Sequence, residues 1–335
     1  MITPNAFRLI IKHINELDKR ISTKLLTKKP WDEISLTSAL SDLFDEETQV
    51  HENIQYDILK LKNDLLLDNG LIGVKLSLNT TEFSSSYERY VSEADLGLKI
   101  VFENLIEPKL SWEKSYLLQA KKIFPTSKNP TSYDEGSSFS AMDNEQIDRI
   151  KILQRLIGNS FLFLLYCPRP ENLHPDVAQK LLYLRLKTLK DNIFDYVQGF
   201  ELHSELSKSQ ETIASGIFVS NPNLKIQNLA FVHENIFKNT FPLSWFIAMK
   251  FFDQRNHHGS VPVYLDETNV SDDQKRVVER IIDGDEEIIE LVKKEYQGGR
   301  IPEKFTIYPK HTLTLRYSVG ESINPNHRLI TTRNE

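Results

Sequence analysis

The sequence predicts an α/β fold in which several helices lead into a sheet. Before residue 68, apolar residues recur every three or four positions, the spacing of amphipathic helices. The pattern then changes to short apolar runs at Leu71–Leu78, Leu96–Phe102 and Tyr116–Phe124, which is typical of strands. A later run, Phe161–Tyr166, is apolar on both faces and suits a central strand. The change of period favours a core that combines helices with a sheet, and the length of 335 residues leads us to expect a helical extension as a second part.

The amino-acid composition indicates which classes of protein are to be expected. The 335 residues are 40% hydrophobic and 26% charged, as in an ordinary globular protein with a sizeable core. The net charge of −6 argues against bulk attraction of nucleic acid but allows a local basic face. Cys167 is the single cysteine, and charged residues interrupt the N-terminal apolar pattern, so we expect a cytoplasmic protein without a signal peptide. The longest apolar run is too short to span a bilayer, so we expect no membrane role.

Three helices are predicted ahead of the sheet. Phe7 to Ile21 places its apolar residues on one helical face. A second helix is predicted to begin near Trp31, after a Lys-Lys-Pro break, and to run to about Phe44 with Glu33 on its inward face. A third is predicted from about Gln49 to Leu67. An acid on an inward helical face is a candidate functional residue, which makes Glu33 of interest.

The second half of the chain is predicted to be mainly helical. We expect a loop from Pro125 to Ser140, helices at about 143–157, 175–190, 241–252, 271–283 and 285–296, and a strand at about 305–317. The predicted organisation is therefore an N-terminal helix over residues 1–30, a core over 31–170 and a mostly helical region over 171–335.

Three polar residues in the predicted strands carry the functional hypothesis. Side chains two apart share a strand face, so Gln119 and Lys121 point together. If the three successive strands form a meander, Asp95 lies beside Gln119 and Glu33 approaches from a covering helix. Asp95, Gln119, Glu33 and the main-chain carbonyl of Ala120 would supply oxygen ligands of the kind that Mg²⁺ or Mn²⁺ prefers. Lys121 would orient an attacking water and offset negative charge, as phosphodiester hydrolysis requires.

The same residues resemble a known nuclease family, the PD-(D/E)xK superfamily in the Q-x-K variant of Mrr-like restriction and defence nucleases. The resemblance covers residues 31–167 and is carried by Glu33-Ile-Ser-Leu-Thr37, Glu93-Ala-Asp95, Leu118-Gln-Ala-Lys121 and a helix containing Gln146 that leads into Phe163-Leu-Leu-Tyr166. Ala94 stands where the family motif has proline, and Gln119 stands where it has an acid.

The resemblance implies a restriction-endonuclease-like αβββαβ core with a mainly helical C-terminal extension. It also implies a magnesium-dependent endonuclease that acts on DNA rather than RNA, in restriction or anti-phage defence. A homo-oligomer or a partner in a defence complex is expected on the same grounds.

Alternative roles stay open for these residues. Gln119 and Lys121 form either a metal site or a structural polar pair in an inactive, nuclease-like scaffold protein. Glu33 either binds metal or favours the helix dipole from the first turn, and Glu93 is similar. The adjacent His257–His258 pair indicates a solvated turn rather than metal ligands.

Overall fold

The computed structural model describes residues 2–49, 51–68, 73–82, 94–140, 144–192, 215–222, 226–251, 270–285, 287–288 and 309–321. Every structural statement below concerns these residues. The predicted features at Glu93 and His257–His258, and most of the helix predicted over 285–296, lie outside the described residues.

The described residues form a mixed α/β structure. The helices are α1 (Pro4–Thr23), α2 (Glu33–Phe44), α3 (Glu46–Gln49), α4 (Ile58–Asp68), α5 (Asn144–Ile157), α6 (Pro175–Asn192), α7 (Leu229–Glu234), α8 (Leu243–Met249) and α9 (Asp272–Ile282). The strands are β1 (Gly73–Glu82), β2 (Leu96–Asn104), β3 (Trp112–Phe124), β4 (Ser138–Phe139), β5 (Phe161–Tyr166), β6 (Ile217–Ser220), β7 (Thr240–Pro242) and β8 (His311–Glu321). No helix in the described part of the chain is long and apolar enough to cross a membrane.

The strands form one mixed sheet in the order β1-β8-β2-β3-β5-β6-β7, with β4 paired to the end of β3. The predicted meander of the first three strands is therefore wrong at one position. β2 and β3 are antiparallel neighbours, but β8 lies between β1 and β2, antiparallel to β1 and parallel to β2. A strand from the end of the chain thus completes the core of the sheet, and β6 and β7 extend its other side.

Helices cover both faces of the sheet. On one face, which we call the α2 face, the ring of Tyr116 packs on Phe246 of α8, with centroids 5.1 Å apart. α1 joins this layer through Phe7, whose ring lies 5.4 Å from that of Trp245. On the other face, which we call the α9 face, Gly97 of β2 lies against Ile282. Since side chains alternate along a strand, each position of β3 can be assigned to one of these two faces.

The start of α2 differs from the prediction because a side chain caps it. Asp32 has extended backbone geometry, and its Oδ1 accepts a hydrogen bond of 2.8 Å from the Ser35 N–H, so the helix begins at Glu33. Glu33 therefore occupies the first turn of α2.

The predicted third helix is confirmed only in its second half, where α4 runs from Ile58 to Asp68, because residues 51–57 are not helical. The buried Gln49 side chain accepts from the Ile58 N–H at 2.6 Å and also donates to the Leu43 carbonyl. Asp57 then accepts from the Lys60 N–H at 2.9 Å and begins α4. Two polar side chains thus divide one apolar pattern into the helices α3 and α4.

Several other predicted elements are confirmed, or begin a few residues from where the sequence placed them. β5 has the bounds expected from its apolar run, and Gly158 follows α5 with a φ of 59°. Ser271 caps α9 through a capping box with Gln274. The helix expected from Phe241 begins at Leu243 because the two preceding residues finish β7.

Candidate functional site at the open edge of β3

The candidate site lies where β2 and β3 stop pairing. The Asp95 N–H donates to the Leu118 carbonyl at 2.9 Å, and the paired register ends at Leu96 opposite Leu118. Main-chain groups of alternate residues face the same edge of a strand, so the N–H groups of Ala120 and Lys122 point to this edge beyond the end of β2. Buried main-chain donors require acceptors, and within the part of the chain that the structure describes β2 does not extend far enough to supply them.

Two carboxylates accept the hydrogen bonds from these N–H groups. Asp95 Oδ2 accepts from the Ala120 N–H at 2.7 Å, and Glu33 Oε1 accepts from the Lys122 N–H at 2.8 Å. The carbonyl of Ala120 faces the same edge and lies between these two donors along the chain. An acid in α2 and an acid just before β2 thus accept hydrogen bonds from alternate main-chain N–H groups of β3.

Gln119 completes the group on the α9 face. Its Nε2 donates to Asp95 Oδ2 at 2.6 Å and lies 3.4 Å from the Ala120 carbonyl oxygen. The side chain is buried, and its Oε1 has no hydrogen-bond partner among the described residues. A buried amide oxygen without a donor loses free energy relative to water, so this atom is suited to an additional ligand.

A buried hydroxyl chain supports Glu33 from the α2 face. Thr37 Oγ1 donates to the Glu33 carbonyl at 2.8 Å and lies 3.0 Å from the Tyr166 hydroxyl. Because Thr37 has a single hydroxyl proton, Tyr166 is the donor to Thr37. Burial raises the pKa of Tyr166, and the Asp95 and Glu33 carboxylates raise it further. The phenol therefore stays protonated and fixes the first turn of α2 against the sheet.

Two neighbouring lysines face opposite sides of the sheet. Lys121 shares the α9 face with Gln119, whereas Lys122 lies on the α2 face, opposite Tyr166 in the parallel register. Both side chains are buried. Burial lowers the pKa of Lys122, while the nearby carboxylates of Asp32 and Glu33 act in the opposite direction. Each face of the site thus contributes one lysine.

The structure brings together Asp95, Gln119 and Ala120 as direct contacts and places Glu33 at the next main-chain donor. Lys121 is on the predicted face of β3. Sequence reasoning missed Lys122 and Tyr166. Alternation along the strand could have identified Lys122. If Gln119 and Lys121 lie on the face away from α2, Ala120 and Lys122 must lie on the face that α2 covers.

Oxygen atoms dominate this edge, and they are the ligands that hard divalent cations prefer. Within the described ranges, no group of three or more His, Cys, Asp or Glu side chains is arranged to hold a metal ion. Any cation at this edge would therefore depend on the Gln119 amide and the Ala120 carbonyl as well as on carboxylates. We found no match to this chain among protein-family models, curated proteins or solved structures.

Proposed function

We propose that this chain is a metal-dependent nuclease that hydrolyses phosphodiester bonds, in DNA rather than RNA, and that its core is restriction-endonuclease-like. One observation carries the proposal. At the open edge of β3, the Asp95 and Glu33 carboxylates flank the Ala120 carbonyl, and the buried Gln119 Oε1 beside them has no donor among the described residues. A role in restriction or anti-phage defence is part of the same proposal.

The residues present fit Mg²⁺ or Mn²⁺. Asp95, the Gln119 amide oxygen, the Ala120 carbonyl and Glu33 would hold the ion, which when bound stabilises charge on the phosphate and lowers the pKa of water. Lys121 would orient the attacking water and offset negative charge at the phosphate. Thr37 and Tyr166 keep the first turn of α2, and with it Glu33, in place.

The Gln119 amide can take two orientations, which differ in whether its nitrogen or its oxygen lies beside Asp95. With Nε2 toward Asp95 Oδ2 at 2.6 Å, the contact between the two side chains needs no cation, although Gln119 Oε1 has no donor among the described residues. With the amide turned over, two oxygens would face each other, which is unfavourable unless a cation lies between them. The Gln119 amide would therefore place its oxygen beside Asp95, as a carboxylate would, only when an ion is bound.

Cleavage assays with isosteric variants test the proposal. Wild type, Asp95→Asn and Lys121→Met are incubated with supercoiled DNA, linear DNA and RNA, in Mg²⁺, in Mn²⁺ or in EDTA. Asp95→Asn keeps an acceptor for the Ala120 N–H and removes the charge, so loss of activity would not reflect misfolding. We expect metal-dependent cleavage of DNA by the wild type and a loss of about 100-fold or more in each variant.

Matched controls use the same chemistry on exposed sites. Asp176→Asn and Lys151→Met change side chains that are 81% and 59% exposed. Both should cleave as the wild type does. Equal activity in the control and site variants, or cleavage that persists in EDTA, would overturn the assignment.

A second candidate function is a non-catalytic binding or scaffold protein that retains the nuclease-like core. It is favoured by the two N–H groups that already satisfy Asp95 Oδ2 without a cation. Under this alternative, nucleic acid or a protein partner would bind equally well with and without Mn²⁺, and Asp95→Asn would not change that binding.

A further inference from the structure

Two segments beside the candidate site are basic although the whole chain is acidic. Residues 19–31 contain five basic residues and no acid, and residues 121–133 contain three lysines and no acid, in a protein of net charge −6. Lys28 and Lys29 are exposed on the first segment. Positive charge is thus concentrated near the start of α2 and the end of β3.

Each of these segments also exposes an aromatic ring with a lysine over its face. Trp31 is 36% exposed, and Lys24 Nζ lies 4.6 Å from the ring centroid. Phe124 is 45% exposed, and Lys122 Nζ lies 5.0 Å from its centroid. A flat ring beside a cation is the arrangement that binds an unpaired base together with its phosphate.

Both ring–lysine pairs adjoin the candidate site. Trp31 directly precedes Asp32 and Glu33, and Glu33 accepts from the main chain of Lys122 at 2.8 Å. Phe124 follows two residues later on the same strand face. Asp32 and Glu33 are thus acids beside the two ring–lysine pairs, and Glu33 belongs to the proposed metal site.

A pocket of about 430 Å³ extends the surface beyond Trp31, between α1 and α2. Its near end is lined by Lys24, Ser35 and Ser38, which offer donors to a base edge or phosphate. Its far end carries Asp42 and Glu52, of which Glu52 pairs with Arg20. The near end therefore suits an anionic strand better than the far end does.

We propose that Lys24, Lys28, Lys29, Trp31, Lys122 and Phe124, which we name the lysine–aromatic surface, bind single-stranded nucleic acid and lead it past Glu33. Unpaired bases stack on the Trp31 and Phe124 rings, while the exposed Lys28 and Lys29 neutralise phosphates. A duplex keeps its base faces stacked inside, so it cannot use the exposed rings. The inference rests on the proposed nuclease function, because the surface matters as the path of a substrate to Asp95.

Binding without cleavage tests the inference. Fluorescence anisotropy in EDTA measures the Kd of the full chain for a labelled single-stranded oligonucleotide and for the matching duplex. We expect tighter binding of the single strand, and a Kd about 5- to 100-fold weaker in Trp31→Ala and in Phe124→Ala. Trp31→Phe should keep most of the affinity because it keeps a flat ring.

Charge and control variants sharpen the test. Lys28→Ala with Lys29→Ala should flatten the slope of log affinity against log salt by about 0.7 for each phosphate that the variant no longer neutralises. Tyr183→Ala removes a ring that is 69% exposed on α6 and should leave the Kd unchanged. Duplex binding as tight as single-strand binding, affinity unaffected by either ring substitution, or selective binding of an acidic peptide would overturn the inference.

The nuclease function and the lysine–aromatic surface can be contradicted independently of each other. Metal-dependent cleavage with wild-type affinity in Trp31→Ala and Phe124→Ala contradicts the surface and leaves the nuclease standing. Ring-dependent binding of a single strand without cleavage under any condition supports the surface and contradicts the nuclease.

Discussion

Replacing Gln119 by glutamate should make the site depend on a cation. The wild-type Nε2 donates to Asp95 Oδ2 at 2.6 Å within a buried side chain. Gln119→Glu removes that donor and brings a second carboxyl group against the first. Two carboxylates at such a distance cannot both ionise freely, so the pKa of one rises.

The cost of this change can be bounded. If the introduced carboxyl stays protonated in the folded protein at pH 7, taking up that proton against a normal pKa near 4.3 costs about 3.7 kcal/mol. A protonated carboxyl can still donate to Asp95, so this value is a ceiling on the pH-dependent loss. Because the folded pKa is raised, the loss is absent below about pH 4.3 and grows as the pH rises toward the folded pKa.

Urea unfolding at pH 4 and pH 7, with and without Mn²⁺, measures these quantities. We expect Gln119→Glu to lower the free energy of unfolding by about 2 to 4 kcal/mol at pH 7 in EDTA, with most of the loss recovered at pH 4. Mn²⁺ should stabilise the variant more than the wild type. Gln179→Glu, on the exposed side of α6, is the control. A Gln119→Glu protein as stable as wild type at pH 7 in EDTA would show that the two carboxyl groups do not interact in the folded protein.

Two further predictions concern stability away from the site. Asp18 is 1% exposed and accepts from Arg169, Ser215, Gly216 and Ile217, so it links α1 to the start of β6. Asp18→Ala should cost about 3 to 5 kcal/mol in urea unfolding because it removes the buried one of the two carboxylates that pair with Arg169 and leaves the main-chain donors of β6 without this acceptor, whereas the exposed Asp148→Ala should cost under about 0.5 kcal/mol. A loss below about 1 kcal/mol would contradict this role. Burial lowers the pKa of His13 to about 4. The folded protein should therefore lose up to about 3 kcal/mol as the pH falls from about 6.5 to about 4, and His13→Gln should flatten that dependence; an unchanged pH profile would count against it.

The local parts of the fold could be predicted from the sequence. Short apolar runs located β2, β3 and β5, and the antiparallel register of β2 with β3 placed Asp95 beside Gln119 as expected. The inward position of Glu33 followed from helical spacing. These predictions depend on neighbours in the chain, which explains their success.

The remaining features depend on contacts distant in sequence. The strand character of β8 was visible in its alternation, but nothing local indicates that it pairs in parallel with β2. The division of α3 from α4 depends on where the Gln49 side chain finds its partners. Glu33 reaches the site through its side chain, as expected, but its hydrogen-bond partner, the Lys122 main-chain N–H, follows from the point where β2 stops pairing with β3.

Direct measurement of Mn²⁺ binding tests the central claim most simply. Isothermal titration and electron paramagnetic resonance can compare the wild type with Asp95→Asn and with Gln119→Leu, and with Asp176→Asn as the control. We expect a Mn²⁺ site in the wild type and in the control, and strongly weakened Mn²⁺ binding in both site variants. Absence of Mn²⁺ binding at millimolar concentration, or binding that neither site variant changes, would contradict it.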